Sequence, residues 1–295
     1  MKSVHALLAG SIDYAGLFPP AGLAMDRAVA NYATYRMSDD VWALGRFILP
    51  VMRLEEWQQV IARMPADGAG PWRLSVLGSG DLAADLMHVQ AFNHHDQGAD
   101  GAIIDAIELK ATSAGEIAGL LAGRPSGLDA YVEIPLDDAL AEMIGRLAEV
   151  GGWAKVRTGG VTSAAFPTAA ALLSFINGCH AANVAFKATA GLHHPLRSTY
   201  PLTYEATSAV APMFGFLNLF LCAAFIRVGV SPQEAVGILE ESAPSAFQFR
   251  DDGVSWGPHH LLLDDLQRTR RTFALSFGSC SFTEPIDELK AINLL

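Results

Sequence analysis

The feature that most constrains this chain is a rhythm. Short apolar runs recur, and each is followed by a stretch whose apolar residues have helical spacing. The runs are Val4–Ala9, Arg46–Val51, Trp72–Leu77, Ala102–Glu108, Ala130–Ile134, Trp153–Arg157 and Val184–Ala188. Helical stretches are expected near Met25–Met37, from Leu54, over Asp81–His94, from an N-cap and capping box at Ser113 and Glu116, from Asp137-Asp138, and over Pro167–Ala182. Strands alternating with helices imply a parallel sheet covered by those helices.

Seven such units need one more strand to close a barrel. Phe273–Phe277 supplies it, followed by GSCSF and a short helix from Pro285. The expected fold is therefore α/β, a (β/α)8 TIM barrel forming one domain over residues 1–295. A mainly helical insertion over about 200–272 separates strands seven and eight. Within it, Ser231-Pro232 opens a helix, FQFR and VSW form a hairpin across Asp251-Asp252-Gly253, and a polar helix spans Leu261–Arg271.

Composition removes several function classes. Charged residues are 17% and apolar residues 51%, which excludes a disordered chain. A net charge of -11 argues against a nucleic-acid partner, which calls for a basic face. Cys179, Cys222 and Cys280 lie far apart, so no disulfide framework or zinc cluster is expected, and a cytoplasmic location is the simplest setting. Val210–Ile226 is apolar, but Pro212 and Asn218 interrupt it. It reads as a buried or subunit-interface helix, implying no membrane partner and a homo-oligomer.

A barrel places its site at the C-terminal ends of the strands. Strand four carries Asp105 and Glu108, strand five Glu133, strand six Lys155 and Arg157, and strand seven Lys187. The chain has only five lysines, and two of them, Lys155 and Lys187, lie inside apolar strands on neighbouring staves. Burying two ammonium groups together is costly, and losing one proton relieves the cost. A neutral lysine attacks carbonyls and forms a Schiff base. Pairing of both lysines with Glu133 and Glu108 as an inert buried network is the plain alternative.

The motifs around these lysines resemble those of deoxyribose-phosphate aldolases, whose strands six and seven read K-T-S-T-G and K-A-S-G-G. Here Lys155-Val-Arg-Thr-Gly159 and Lys187-Ala-Thr-Ala-Gly191 lie 32 positions apart. Tyr131-Val-Glu133-Ile and GADGAIIDAIELKATSAGE are similar to the family's preceding segments, so the likeness runs over Gly98–Gly191. It implies a class I, metal-independent aldolase or lyase with no cofactor. Lys155 would form the imine, Lys187 would be the neighbouring cation, and Asp105 or Glu108 would relay protons with Glu133. Arg157 departs from the pattern, since the family has serine there.

The remaining candidates bind a small, anionic carbonyl substrate. Arg157, His193 and Arg197 are cations or donors at the expected rim, and Thr158-Gly159-Gly160 forms a tight loop. Gly278 and Ser279 precede a helix and could cradle a phosphate. The loop YAGLFPPAG either covers the mouth or packs against the insertion. His193-His194 and His259-His260 invite a metal reading, but adjacent histidines diverge and no ligand spacing accompanies them, so no metal is expected. Two other functions stay open: a cationic cradle for a phosphorylated or polycarboxylate substrate without an imine, and a non-enzymatic assembly protein with Val210–Ile226 as its partner face.

Overall fold

The computed structural model describes residues 1–65, 68–95 and 101–295. Gly98–Asp100, the first residues of the aldolase-like segment, lie outside them. The strands are β1 (Ile12–Tyr14), β2 (Leu44–Pro50), β3 (Trp72–Leu77), β4 (Ala102–Lys110), β5 (Asp129–Glu133), β6 (Trp153–Arg157), β7 (Phe186–Thr189), β8 (Ser198–Pro201), β9 (Val210–Met213), β10 (Phe247–Phe249), β11 (Gly253–Trp256), β12 (His259–Leu262) and β13 (Ala274–Ser279). The helices are α1 (Lys2–Leu8), α2 (Met25–Arg36), α3 (Leu54–Ile61), α4 (Leu82–His95), α5 (Ala114–Leu121), α6 (Leu140–Val150), α7 (Ala169–Ala181), α8 (Phe216–Arg227), α9 (Pro232–Glu240), α10 (Leu263–Thr272) and α11 (Thr283–Ala291).

Strands β1 to β7 and β13 close a parallel barrel, β13 lying between β7 and β1. The chain has the (β/α)8 architecture, and the strand at the chain's end closes it as expected.

The first expected strand is a helix. Val4, Leu7 and Leu8 of α1 are buried at helical spacing, and α1 packs against α10. The true first strand begins at Ile12, which moves Asp13 from a loop into the barrel wall. The capping box at Ser113 is also absent: Ser113 occupies the N-cap without a side-chain bond, and Glu116 instead accepts from the Thr112 amide and hydroxyl at 2.9 Å each.

The segment between β7 and β13 holds a two-stranded hairpin (β8, β9), helices α8 to α10 and a three-stranded sheet (β10–β12). Ser231-Pro232 opens α9 and the β10–β11 hairpin forms, both as expected, and Ser231 also makes a capping box with Glu234. The apolar run divides, since Val210–Met213 is a strand and only Phe216–Arg227 is helical. All residues of α8 from Phe216 to Ile226 are buried, with α7, α9, α10 and β13 packed around it. A helix apolar on every side belongs in an interior, so α8 is no partner face. Its buried Asn218 is well bonded: the side-chain amide donates to the Ile238 and Glu241 carbonyls and its oxygen accepts from the Arg197 amide, each at 2.8 Å. No helix among the described residues is long and apolar enough to cross a membrane.

Candidate active site

Alternation along each strand decides which side chains enter the barrel. Tyr131 and Glu133 on β5, Lys155 and Arg157 on β6, and Lys187 on β7 all turn toward its axis or its mouth. Glu133 is in register with Lys155, and Lys155 with Lys187. The two lysines therefore sit side by side.

A carboxylate joins them. Glu108 places Oε2 2.9 Å from Lys155 Nζ and Oε1 2.7 Å from Lys187 Nζ. Lys155 also contacts Glu133 Oε2 at 2.9 Å, and Lys187 contacts Asp13 Oδ2 at 2.7 Å. Arg157 Nε lies 3.1 Å from Glu133 Oε1. Three cations thus meet three carboxylates, each lysine touching two of them. The crowding of the two ammonium groups is therefore compensated by carboxylates rather than left unpaired. Hydroxyls complete the set: Ser75 donates to Glu108 Oε1 at 2.8 Å and Ser276 to Asp13 Oδ2 at 2.7 Å.

Electrostatics follow from this geometry. Burial alone would raise the Glu108 pKa, but the Lys155 and Lys187 ammonium groups overcome it and hold the carboxyl far below its ordinary range. Glu133 is lowered in the same way, burial being outweighed by Lys155 and Arg157. Burial would lower Lys187, yet Asp13 and Glu108 raise it above the ordinary lysine value. Lys187 is a fixed cation, with its ammonium 5.2 Å above the Tyr131 ring.

A cavity of about 310 Å³ opens at this cluster, and its polar lining includes Glu108, Lys155, Arg157, Thr189, His193 and Cys280. Lys155 reaches it, whereas the Lys187 side chain is 0% exposed behind. Phe18 and Pro19 of the YAGLFPPAG loop form part of its wall, with the Ala15 amide donating to the Ser279 carbonyl at 2.7 Å.

The other expected residues divide. Gly160 and Gly278 line the cavity. Thr158 and Gly159 build its frame instead. Thr158 is buried and donates to the Ala190 carbonyl at 2.5 Å, and a Cβ on Gly159 would run into the Phe166 ring. Ser279 Oγ lies 3.1 Å from His193 Nδ1. Arg197 lies outside the lining, its guanidinium 4.7 Å over the Phe214 ring.

Asp105 is not part of the cluster. The β3–β4 register skips it, and its carboxylate bonds to Arg46 at 2.5 Å and Arg73 at 2.6 Å near the strands' N-terminal ends. Arg46 also holds Asp129, the first residue of β5, at 2.8 Å. Of the two relay candidates, Glu108 alone stands between the lysines.

The Gly278–Ser281 segment is a poor anion cradle. The Ser281 hydroxyl already accepts the Glu284 amide at 3.1 Å, and Glu284 itself places negative charge on the first turn of α11. Asp13 is the important residue that sequence reasoning missed. A three-residue strand is too short to show a period, and the mistaken first strand left Asp13 in a loop.

The paired histidines diverge, with the rings of His193 and His194 6.4 Å apart at 75°. His193 is buried, and burial followed by neighbouring His194 lowers its pKa to about 4, keeping it neutral. His259 bonds Glu234 at 3.0 Å and His260 the Ser255 hydroxyl at 2.9 Å.

Comparisons with protein-family models, with curated proteins and with solved structures find no match.

Proposed function

We propose that this barrel is a class I aldolase or lyase that forms a Schiff base on Lys155 with a small, anionic carbonyl compound. The observation that carries this reading is the unequal exposure of the two amines: Lys155 reaches the cavity, and Lys187 lies sealed behind it between Asp13 and Glu108. The resemblance of the Lys155 and Lys187 motifs to deoxyribose-phosphate aldolases supports it further.

In this reading Glu133 takes a proton from the Lys155 ammonium, to which it is already bonded. The neutral amine attacks the carbonyl carbon, the C=O electron pair moves to oxygen, and a proton passes from the attacking nitrogen to that oxygen to give a neutral carbinolamine. Glu133 returns its proton to the carbinolamine hydroxyl, which leaves as water. The resulting iminium accepts the electron pair released when the adjoining C–C bond breaks. Lys187 keeps Glu108 ionised and in place, and Arg157, with its side chain 51% exposed, meets an anionic group of the substrate.

One observation favours a second reading. Both lysines are ion-paired, and Arg157 with its half-exposed side chain is the cation best placed to meet a substrate, which suits a site that stabilises charge without an imine. Borohydride reduction with a panel of small aldehydes, ketones and oxo acids separates the two. A mass adduct on Lys155 that is absent from Lys155→Arg supports the imine. Turnover that survives Lys155→Arg, with no adduct on the wild type, selects the cradle.

A further inference from the structure

Beside the lysine cavity lies a second one of about 310 Å³, sharing Pro19, Gly160, Ala190 and His193 with the first. His194 and Glu284 stand in its wall. Glu288 lies one helical turn beyond Glu284 on α11, so the two carboxylates share a face. His194 comes from the loop after β7. One ligand atom from each of His194, Glu284 and Glu288 can be chosen so that all lie within 4.8 Å of one another. Donors around one tetrahedral ion with bonds of about 2.1 Å lie about 3.4 Å apart, so small side-chain adjustments would bring the three onto one ion.

We propose that His194, Glu284 and Glu288 bind one divalent transition-metal ion, of the zinc or manganese kind, at the edge of the second cavity. One imidazole nitrogen with two carboxylates is a donor set those ions accept, and three protein ligands leave a position open toward the cavity. Among the described residues, no ion pair brings a lysine or arginine to Glu284 or Glu288. The two negative groups therefore face each other with only histidine as an ion-pair partner, an arrangement that a metal dication completes.

The surroundings hold the donors in position. The His194 ring stacks on Tyr200 with centroids 3.4 Å apart and planes 10° from parallel. Tyr204 donates its hydroxyl to Glu284 Oε2 at 3.0 Å. Metal ligands commonly have such outer partners to fix their orientation. His194 Nδ1 already meets Glu288 Oε1 at 2.7 Å, so a modest separation of this pair admits the ion.

The site stands independently of any chemistry at Lys155. Full-length protein is stripped with a chelator and dialysed against Zn2+ and, separately, Mn2+, and bound metal is counted per chain. Co2+ is used in parallel for its visible absorption. One ion per chain is expected in the wild type and in Lys155→Met. Binding at least tenfold weaker is expected in His194→Ala and in Glu288→Gln, with loss of the cobalt bands. Glu288 is partly exposed and the glutamine keeps its shape, so that variant reports even if His194→Ala unfolds. His259→Ala, which removes a different His–Glu pair, should bind as the wild type does. No bound ion in the wild type, or undiminished binding in Glu288→Gln, overturns the proposal.

Discussion

Lys155 and Lys187 are register partners on adjacent strands, and a single carboxylate, Glu108, bonds both ammonium groups through its two oxygens. Removing that carboxylate should therefore be worse than removing a cation. Glu108→Gln leaves two buried ammonium groups facing each other, and loss of one partner from a buried pair costs about 3–5 kcal/mol. Urea unfolding should show a destabilisation of this size, with a smaller loss for Arg157→Ala, whose side chain is half exposed.

The same network sets a pH window. Glu108 and Glu133 have depressed folded-state pKa values, so their contribution is complete above the ordinary glutamate pKa, about 4.3, and is lost as pH falls through the lower folded values. Lys187 is raised, so its contribution is complete below about 10.4 and is lost as pH rises through the higher folded value. Denaturant midpoints measured across pH should form a plateau between these limits. Glu108→Gln should flatten the acid side.

Gly45 is required by the approach of Asp13. A Cβ at Gly45 would lie closer to Asp13 Oδ1 than any real contact, and only about 3.1 Å from the Ile12 carbonyl. Asp13 is held there by the Arg46 amide, which donates to Oδ1 at 2.8 Å. Gly45→Ala should push the carboxylate off Lys187 and cost about 1–3 kcal/mol, as overpacking does. The check is thermal unfolding beside Gly145→Ala, where a Cβ meets nothing within 4 Å.

The interior position of α8 makes a distinct prediction. Phe220 is 0% exposed, so Phe220→Ala should cost about 3–5 kcal/mol. Phe220→Asp should abolish folding rather than alter subunit number. Light scattering together with circular dichroism distinguishes these outcomes. A folded variant with a changed mass would place α8 at an interface after all.

Asp105 and Glu108 should separate under the trapping assay. Asp105→Asn disturbs the contacts to Arg46 and Arg73, away from the lysines, and should leave borohydride labelling of Lys155 within twofold of wild type. A loss comparable to that from Glu133→Gln would put Asp105 back among the groups that serve Lys155.

The sequence by itself determined the barrel, because alternating apolar runs and helical stretches have few ways to bury both faces of a sheet. It also placed Lys155, Lys187 and Glu133 on consecutive strands, since neighbouring units of such a fold are neighbours in space. Tertiary structure decided the rest. Asp13 and Lys187 are 174 positions apart and meet only because β1 and β7 flank β13 in the closed ring. A skipped residue in β4 sets Asp105 with Arg46 and Arg73 near the strands' N-terminal ends, and the sequence pattern alone does not show such a skip. Which of Lys155 and Lys187 faced the cavity depended on the closed ring, which brings Asp13 of β1 against Lys187 and leaves Lys155 in the cavity lining, a placement that no single strand carries.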